Sequence, residues 1–93
     1  MPVVSLALEL RLVGCTTARQ KTNQAEAILD KLRRHFNVSV ADLGAYMPVD
    51  GTALGFAVVA KTRREAREIL DRLTDAVAAH PRIEILKVTF DEL

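Results

Sequence analysis

Cys15 is the only thiol in the chain, and it lies just before a segment with helical periodicity. A Cys-x-x-Cys pair at such a point would bind a soft metal ion through two thiolates. Ala18 occupies the second cysteine position, so the sequence excludes that metal site, and a single cysteine excludes an intrachain disulfide. A reactive thiolate at a helix N-terminus remains open, but we favour a small residue that packs beside the helix start.

The residues around Cys15 could also hold a phosphate group. Gly14, Thr16, Thr17 and Arg19 combine a turn, two hydroxyl groups and a cation just before a helix N-terminus, where free N–H groups attract anions. Acylphosphatases use a loop of this kind to bind an acyl phosphate. The glycine-valine pattern of that loop is missing from this sequence, so a small acylphosphatase-like hydrolase is only a second alternative.

The two histidines, His35 and His80, are each expected at the C-terminal end of a helix, where a cation complements the helix dipole. No cysteine, histidine or carboxylate is spaced around them as a metal-binding set. Glu9 and Arg11 are neighbours on one face of a strand, where a solvated or interface pair is a better interpretation than acid–base catalysis. The sequence has no nucleophile elbow. We therefore expect a protein that is not an enzyme and uses no metal or cofactor.

Basic residues are concentrated in the first helical segment, which spans about residues 17–35 and has a net charge of +3. The segment contains two acidic residues, Glu26 and Asp30, and five basic residues, which are Arg19, Lys21, Lys31, Arg33 and Arg34. Asp30 can pair with either arginine three and four positions later. Lys21 lies nearer the buried edge, from which a lysine can extend outward. The five are candidates for contacting nucleic-acid phosphates, and a merely solvated helix face is the competing interpretation.

Hydrophobic periodicity defines the elements that position these residues. It predicts four strands and two helices, in the order β-α-β-β-α-β, at about residues 3–13, 17–35, 37–43, 53–60, 62–79 and 82–90. Thr17 and Thr62 each begin a capping-box pattern, and the alternation slips at Leu86, which indicates a β-bulge or burial on both faces. The order predicts one ferredoxin-like α+β domain over residues 1–93, with a four-stranded antiparallel sheet and both helices on one face.

The sheet face without helices is expected to carry small side chains. Phe56 points into the core by alternation, and this leaves no aromatic residue in that strand's open face for stacking RNA bases. The candidates for a protein interface on this face are Ala41, Ala53, Gly55, Ala57 and Val59. Because these residues are too apolar for a solvated sheet face, we expect a homodimer through this face or through a sheet edge.

Composition sets broad limits on location and function. The 93 residues are 49% hydrophobic and 27% charged, with a formal net charge of +1, which is typical of one globular domain. The near-zero charge argues against a strong electrostatic nucleic-acid binder but allows a local basic face. No segment approaches the roughly 20 apolar residues of a membrane span, and the N-terminal segment lacks the basic start of a signal peptide. With an unpaired cysteine, these features predict a cytoplasmic protein.

Several segments resemble the YlxP-like family, a domain-of-unknown-function family of small bacterial proteins. They are LRRHFNVSVA at 32–41, LGFAVV at 54–59, residues 69–73, and AHP at 79–81. The resemblance covers nearly the whole chain and implies a ferredoxin-like fold. Genes of that family often lie near transcription and translation genes, which implies an RNA- or ribosome-linked role. The chain departs from the family at TARQKT (17–22), where the final basic position is lost, and at YMPVDG (46–51), which implies a changed partner.

Two compatible hypotheses follow from the residues and the resemblance. The first is a non-enzymatic accessory protein that associates with RNA or the ribosome through the basic first helix. The alternative is a self-associating interaction module that uses the small-residue sheet face.

Overall fold

The computed structural model describes residues 1–93 and contains six regular elements. They are β1 (Val3–Leu12), α1 (Ala18–His35), β2 (Ser39–Asp42), β3 (Gly51–Val59), α2 (Arg63–Ala78) and β4 (Ile83–Glu92). The strands form one antiparallel sheet in the order β2-β3-β1-β4. This order of elements and strands confirms the predicted ferredoxin-like α+β fold.

Alternation along β1 separates the two faces of the sheet. Five residues of β1 are at most 1% exposed and form the centre of the core: Val4, Leu6, Leu8, Leu10 and Leu12. The buried stripes of both helices join the same core cluster, and they are Ala25, Leu29 and Leu32 of α1 and Ala66, Leu70, Leu73 and Val77 of α2. Because strand residues alternate between faces, the odd-numbered residues of β1 lie on the face without helices, which we call the open face.

Both helices begin at a threonine cap, but the two caps differ. The Thr17 hydroxyl accepts the Gln20 N–H at 3.1 Å, and the Gln20 side chain accepts the Thr17 N–H at 3.2 Å, so the first capping box is complete. The Thr62 hydroxyl accepts the Glu65 N–H at 3.1 Å, without the reciprocal bond. The second predicted box is therefore only half formed, and the Glu65 carboxylate instead adds negative charge to the first turn of α2.

The irregularity predicted at Leu86 is a β-bulge. Lys87 pairs with Glu9, whereas Ile85 pairs with the next residue of β1, Leu10, so Leu86 is the extra residue of β4. Leu86 is 56% exposed, which contradicts the alternative of burial on both faces. The bulge restores the alternation, and Val88 then pairs with Leu8 on the helix-covered face.

Strand ends differ from the sequence prediction by a few residues. Strand β2 has only four residues, whereas β3 begins at Gly51 and not at Ala53, because Gly51 pairs with Arg11. Strand β4 continues to Glu92, which pairs with Val4. Strand β1 therefore pairs over most of its length with both β3 and β4, while α1 packs over β2 and β3 and α2 packs over β1, β3 and β4.

Candidate nucleic-acid interface

Helix α1 carries four of the five candidate phosphate-binding residues on its solvent side. Arg19, Lys31, Arg33 and Arg34 are all exposed to solvent. Lys31, Arg33 and Arg34 lie within one helical turn, whereas Arg19 is about 18 Å away along the helix axis, at 1.5 Å per residue. Three of the candidates therefore lie near the C-terminal end of α1, but Lys31 and Arg33, two positions apart, project from different sides of the helix.

The cations of the two helices differ in their pairing. Three of the four arginines of α2 form ion pairs, which are Arg63–Glu92 at 3.2 Å, Arg64–Glu68 at 3.1 Å and Arg67–Asp71 at 4.0 Å. In α1 a single ion pair joins Arg33 to Asp30 at 3.5 Å, and the alternative pairing of Asp30 with Arg34 is not formed. Lys31, Arg34 and Arg19 make no ion pair, so their charges remain available to an anionic partner.

Lys21 is engaged by the chain itself. Its ammonium group donates hydrogen bonds to the carbonyl oxygens of Gly44 at 2.7 Å, Met47 at 3.0 Å and Pro48 at 3.3 Å. The sequence interpretation expected Lys21 to extend outward from the helix. The three carbonyl oxygens hold it against the loop instead. Lys21 therefore ties the start of α1 to the loop between β2 and β3, and it stands apart from the other four candidates.

The loop at residues 43–50 is held in place by hydrogen bonds at its base. Asp42 accepts the Gly44 N–H at 2.9 Å and faces the Thr52 hydroxyl at 3.4 Å. Gly44 packs so closely against Thr52 that a side chain at position 44 would collide with it. Tyr46 lies at the tip of this loop, fully exposed. The divergent loop is thus held by polar contacts at its base and presents one aromatic ring to solvent.

A groove of about 340 Å³ lies between α1 and α2. Its apolar lining comes from both helices and the start of β4, and consists of Ile28, Leu32, Phe36, Ala76, Val77 and Ile83. Lys31, His35 and His80 complete the lining. The sequence places each histidine correctly near a helix end, but their presence in one groove depends on the distance between the helices, which no local pattern encodes.

Four of the five interface candidates are neighbours on the open face. Gly55 is paired with Ala41 of β2 on one side and with Ala7 of β1 on the other. Ala53 and Ala57 lie two residues before and after Gly55, on the same face. Val59, the fifth candidate, ends the same row beside Val3 of β1. The predicted small-residue surface therefore exists as one continuous patch.

The sequence interpretation missed the contribution of Leu43 to this patch. Its side chain lies over Gly55, because a Cβ built at position 55 would come within 2.9 Å of Leu43 Cδ1. Leu43 is nevertheless 55% exposed, and Val59 is also 55% exposed. The open face therefore combines a flat small-residue floor with two large apolar side chains that water reaches.

Charged residues border the open face on its β4 side. The Arg11 guanidinium donates two hydrogen bonds to Glu84 Oε2, at 3.0 and 2.9 Å. Glu9 instead stands opposite Lys87. Arg11 therefore forms its ion pair with Glu84 of the neighbouring strand and not with Glu9, the pair that the sequence suggested.

The segment before α1 is satisfied internally. Cys15 is buried, with its thiol 3.6 Å from the Thr17 carbonyl oxygen, as a small packed residue would be. The Thr16 and Thr17 N–H groups donate to Gln20 Oε1 at 2.8 and 3.2 Å, and the Thr16 hydroxyl donates to the same oxygen at 3.1 Å. Of the residues that would cradle a phosphate in a hydrolase, Thr16 and Thr17 are thus already bonded to Gln20. No cluster of three or more metal-ligating side chains is present.

The fold and these surfaces define a small ferredoxin-like α+β domain with a basic helix and an apolar open sheet face. A family model described as "Protein of unknown function (DUF503)" matches residues 3–90, and the chain belongs to that family. No curated protein matches the chain. Neither helix is long and apolar enough to cross a membrane.

Proposed function

We propose that this chain is a YlxP-like, non-enzymatic cytoplasmic protein that binds RNA, free or in the ribosome, through α1. The observation that carries the proposal is the contrast in pairing between the two helices. Arginines of α2 are mostly engaged in ion pairs, whereas Lys31, Arg34 and Arg19 of α1 are exposed without one. Unpaired cations on one surface are what phosphate contacts require.

The geometry also supports a particular arrangement of the contacts. Arg33 and Arg34 are adjacent near the C-terminal end of α1, Lys31 lies about one turn before Arg34, and the 3.5 Å pair between Arg33 and Asp30 is exposed at both side chains. An exposed pair of this kind contributes little to stability, so a phosphate can replace Asp30 as the partner of Arg33. A few such contacts give weak, salt-sensitive binding that tolerates different sequences.

The test exploits two Arg-Arg pairs in the chain, Arg33-Arg34 on α1 and Arg63-Arg64 on α2. Arg33→Gln with Arg34→Gln removes two cations from the proposed surface, and Arg63→Gln with Arg64→Gln removes the same charge from α2. We expect the first double variant to lose about tenfold or more in RNA affinity at ~50 mM salt, and to reduce the salt slope by about 0.7–0.9 per lost phosphate contact. The second should bind nearly as the wild type does.

Fluorescence anisotropy with labelled single-stranded and duplex RNA measures both quantities. Absence of wild-type binding to either RNA at ~50 mM salt, where phosphate contacts are strongest, would exclude the proposal. An equal loss in the two double variants would show that only net charge matters and would exclude α1 as the contact surface.

A second candidate function is self-association through the open face. The observation that favours it is the exposure of Leu43 and Val59 beside a floor of alanine and glycine. Such a surface is stabilised when a second copy or another protein removes it from water. Association through the open face leaves α1 accessible, because the helices lie on the opposite side of the sheet.

A further inference from the structure

The proposed phosphate contacts of α1 leave the groove between α1 and α2 without a role. The two helices pack mainly on the sheet and not on each other, which leaves an opening above the core. Leu32, Val77 and Ile83 are buried at its base, and Ile28, Phe36 and Ala76 form its apolar sides. Its volume of about 340 Å³ lies at the lower end of the range for small-ligand sites, roughly 300–1,000 Å³.

Flat side chains are concentrated in this groove. The chain has six phenylalanine, tyrosine and histidine rings, and three of them, His35, Phe36 and His80, line it. Phe56 is buried in the core, and the Phe90 ring is covered by the Arg67 guanidinium at 3.6 Å. The groove is therefore the place where several rings adjoin an apolar space open to solvent, and unstacked RNA bases bind against such rings.

One of these rings is hydrogen-bonded to the backbone. His80 Nδ1 accepts the Arg82 N–H at 3.2 Å, so the neutral imidazole carries its proton on Nε2. That N–H is not used by any other group of the chain, and it can donate to an acceptor on a base edge. The ring thus offers both a face for stacking and one directed hydrogen-bond donor.

Charge complementarity selects an anionic occupant. A smaller hollow adjoins the groove, because Ile28, His80 and Ile83 line both. No carboxylate lines either space, whereas Lys31 lines the groove and Arg82 lines the hollow. Lys31 belongs both to the groove and to the unpaired cations of α1, and Arg34 follows it by about one helical turn. An occupant with a planar body and a phosphate on each side matches this arrangement, with the body between the helices and the phosphates on α1.

We infer that the groove binds one unstacked nucleobase of single-stranded RNA, with Lys31 and Arg34 holding the flanking phosphates. This inference rests on the proposed RNA binding, and it predicts that the protein prefers single-stranded RNA to duplex RNA. A base inside a duplex is stacked on both faces and cannot enter the groove, so duplex RNA retains only the phosphate contacts. A mononucleotide shares the same chemistry, and competition by AMP separates it from a strand.

The test fills the groove without removing a cation. Ala76→Phe places a ring in it from α2, and Ala27→Phe does the same from α1, where Ala27 lines the adjoining hollow. Both alanines are exposed, and so is Ala78, which lines neither space. Ala78→Phe is therefore a matched control on α2. The probes are a single-stranded oligoribonucleotide containing one 2-aminopurine, its duplex, and AMP, all at ~50 mM salt.

We expect the wild type to bind the single strand about tenfold more tightly than the duplex, with a change in 2-aminopurine emission. Both groove-filling variants should lose this preference and the emission change but keep the duplex affinity and its salt slope, and the control should match the wild type. Circular dichroism establishes that each variant is folded.

Each contrary result identifies what is wrong. Equal affinities of the wild type for the single strand and the duplex overturn the inference, and so does an unchanged single-strand preference in both groove-filling variants. In either case, binding to the duplex still supports the proposed function. Displacement of the strand by AMP at equal concentration assigns the groove to a free nucleotide and overturns the single-strand form. If the wild type binds neither the single strand nor the duplex, both proposals are overturned.

Discussion

Phe56 illustrates what a single residue contributes to this fold. It lies on β3, pairs with Leu6 of β1 and with Val40 of β2, and is 3% exposed. The alternation of β3 predicts this position, because each side chain that points to the core is followed by one on the open face. A large ring at the centre of a three-strand contact is difficult to replace, since the surrounding strands cannot collapse into the space that it leaves.

We expect Phe56→Ala to lower the free energy of unfolding by about 3–5 kcal/mol, because a buried ring is lost and a cavity remains. Denaturant titration measures the change. Phe90→Ala is the matched control, since Phe90 is only partly buried, and we expect it to cost less than half as much. A loss below about 1 kcal/mol for Phe56→Ala would mean that its ring faces solvent and that β3 has a different register.

At the same scale, the sequence predicts burial better than it predicts the partners of charged residues. Arg11 pairs with Glu84, which is 73 residues away, and Glu9 stands opposite Lys87. Same-strand spacing identified Glu9 and Arg11 as neighbours, but the cross-strand register decides which charges meet. That register depends on the bulge at Leu86, so the ion pair between Arg11 and Glu84 could not be predicted from local spacing alone.

At the scale of an element, helix α1 has two functions, since one lysine is structural and another is free. Lys21 ties the helix start to the loop through three carbonyl oxygens, whereas Lys31 is exposed without an ion pair. Periodicity predicted the helix, and the capping-box pattern predicted its cap at Thr17. Neither could predict that the loop folds back over Lys21, because the loop contains no regular pattern.

Replacing each lysine by methionine separates these roles, since methionine retains the apolar stem and removes the ammonium group. Lys21→Met should destabilise the protein by about 1–3 kcal/mol, the range for losing hydrogen bonds to a charged group, and increase amide hydrogen exchange at residues 44–51. RNA affinity should change little. Lys31→Met should leave stability nearly unchanged and weaken RNA binding severalfold. The same loss of RNA affinity in both variants would contradict the assignment of Lys21 to the loop.

The whole molecule is a sheet covered by helices on one face only. On the open face, Ala57 occupies the middle of β3, between Ser39 of β2 and Ser5 of β1. A charged side chain at this point would project from the floor of the patch and would be buried unpaired if a second copy covered it. The position therefore tests self-association directly.

We expect the wild type to form a homodimer at high micromolar concentration, and Ala57→Arg to shift the equilibrium toward monomer because of the buried unpaired charge. Ala78→Arg adds the same charge on the exposed side of α2 and should not change the association. Sedimentation velocity over a concentration series measures both. A wild type that remains monomeric at high micromolar concentration would refute self-association through this face.

Whole-molecule features set the limit of what the sequence could predict. The order of elements, the core and the small-residue face all follow from periods of two and 3.6 residues. The groove does not, because its width depends on α1 packing over β2 and β3 while α2 packs over β1, β3 and β4. Leu43 was missed for a related reason, since it follows a four-residue strand and turns over Gly55 only in the folded sheet.

The position of Tyr46 determines how the molecule can be observed spectroscopically. The chain has one tyrosine and no tryptophan, and that tyrosine is fully exposed at the tip of the loop. Its fluorescence should therefore hardly report on core unfolding, since its ring is in water in the folded and unfolded states alike. Circular dichroism is the suitable probe for the stability measurements. Tyr46 emission is instead a built-in reporter for any partner that docks on the loop, against a background to which the core contributes almost nothing.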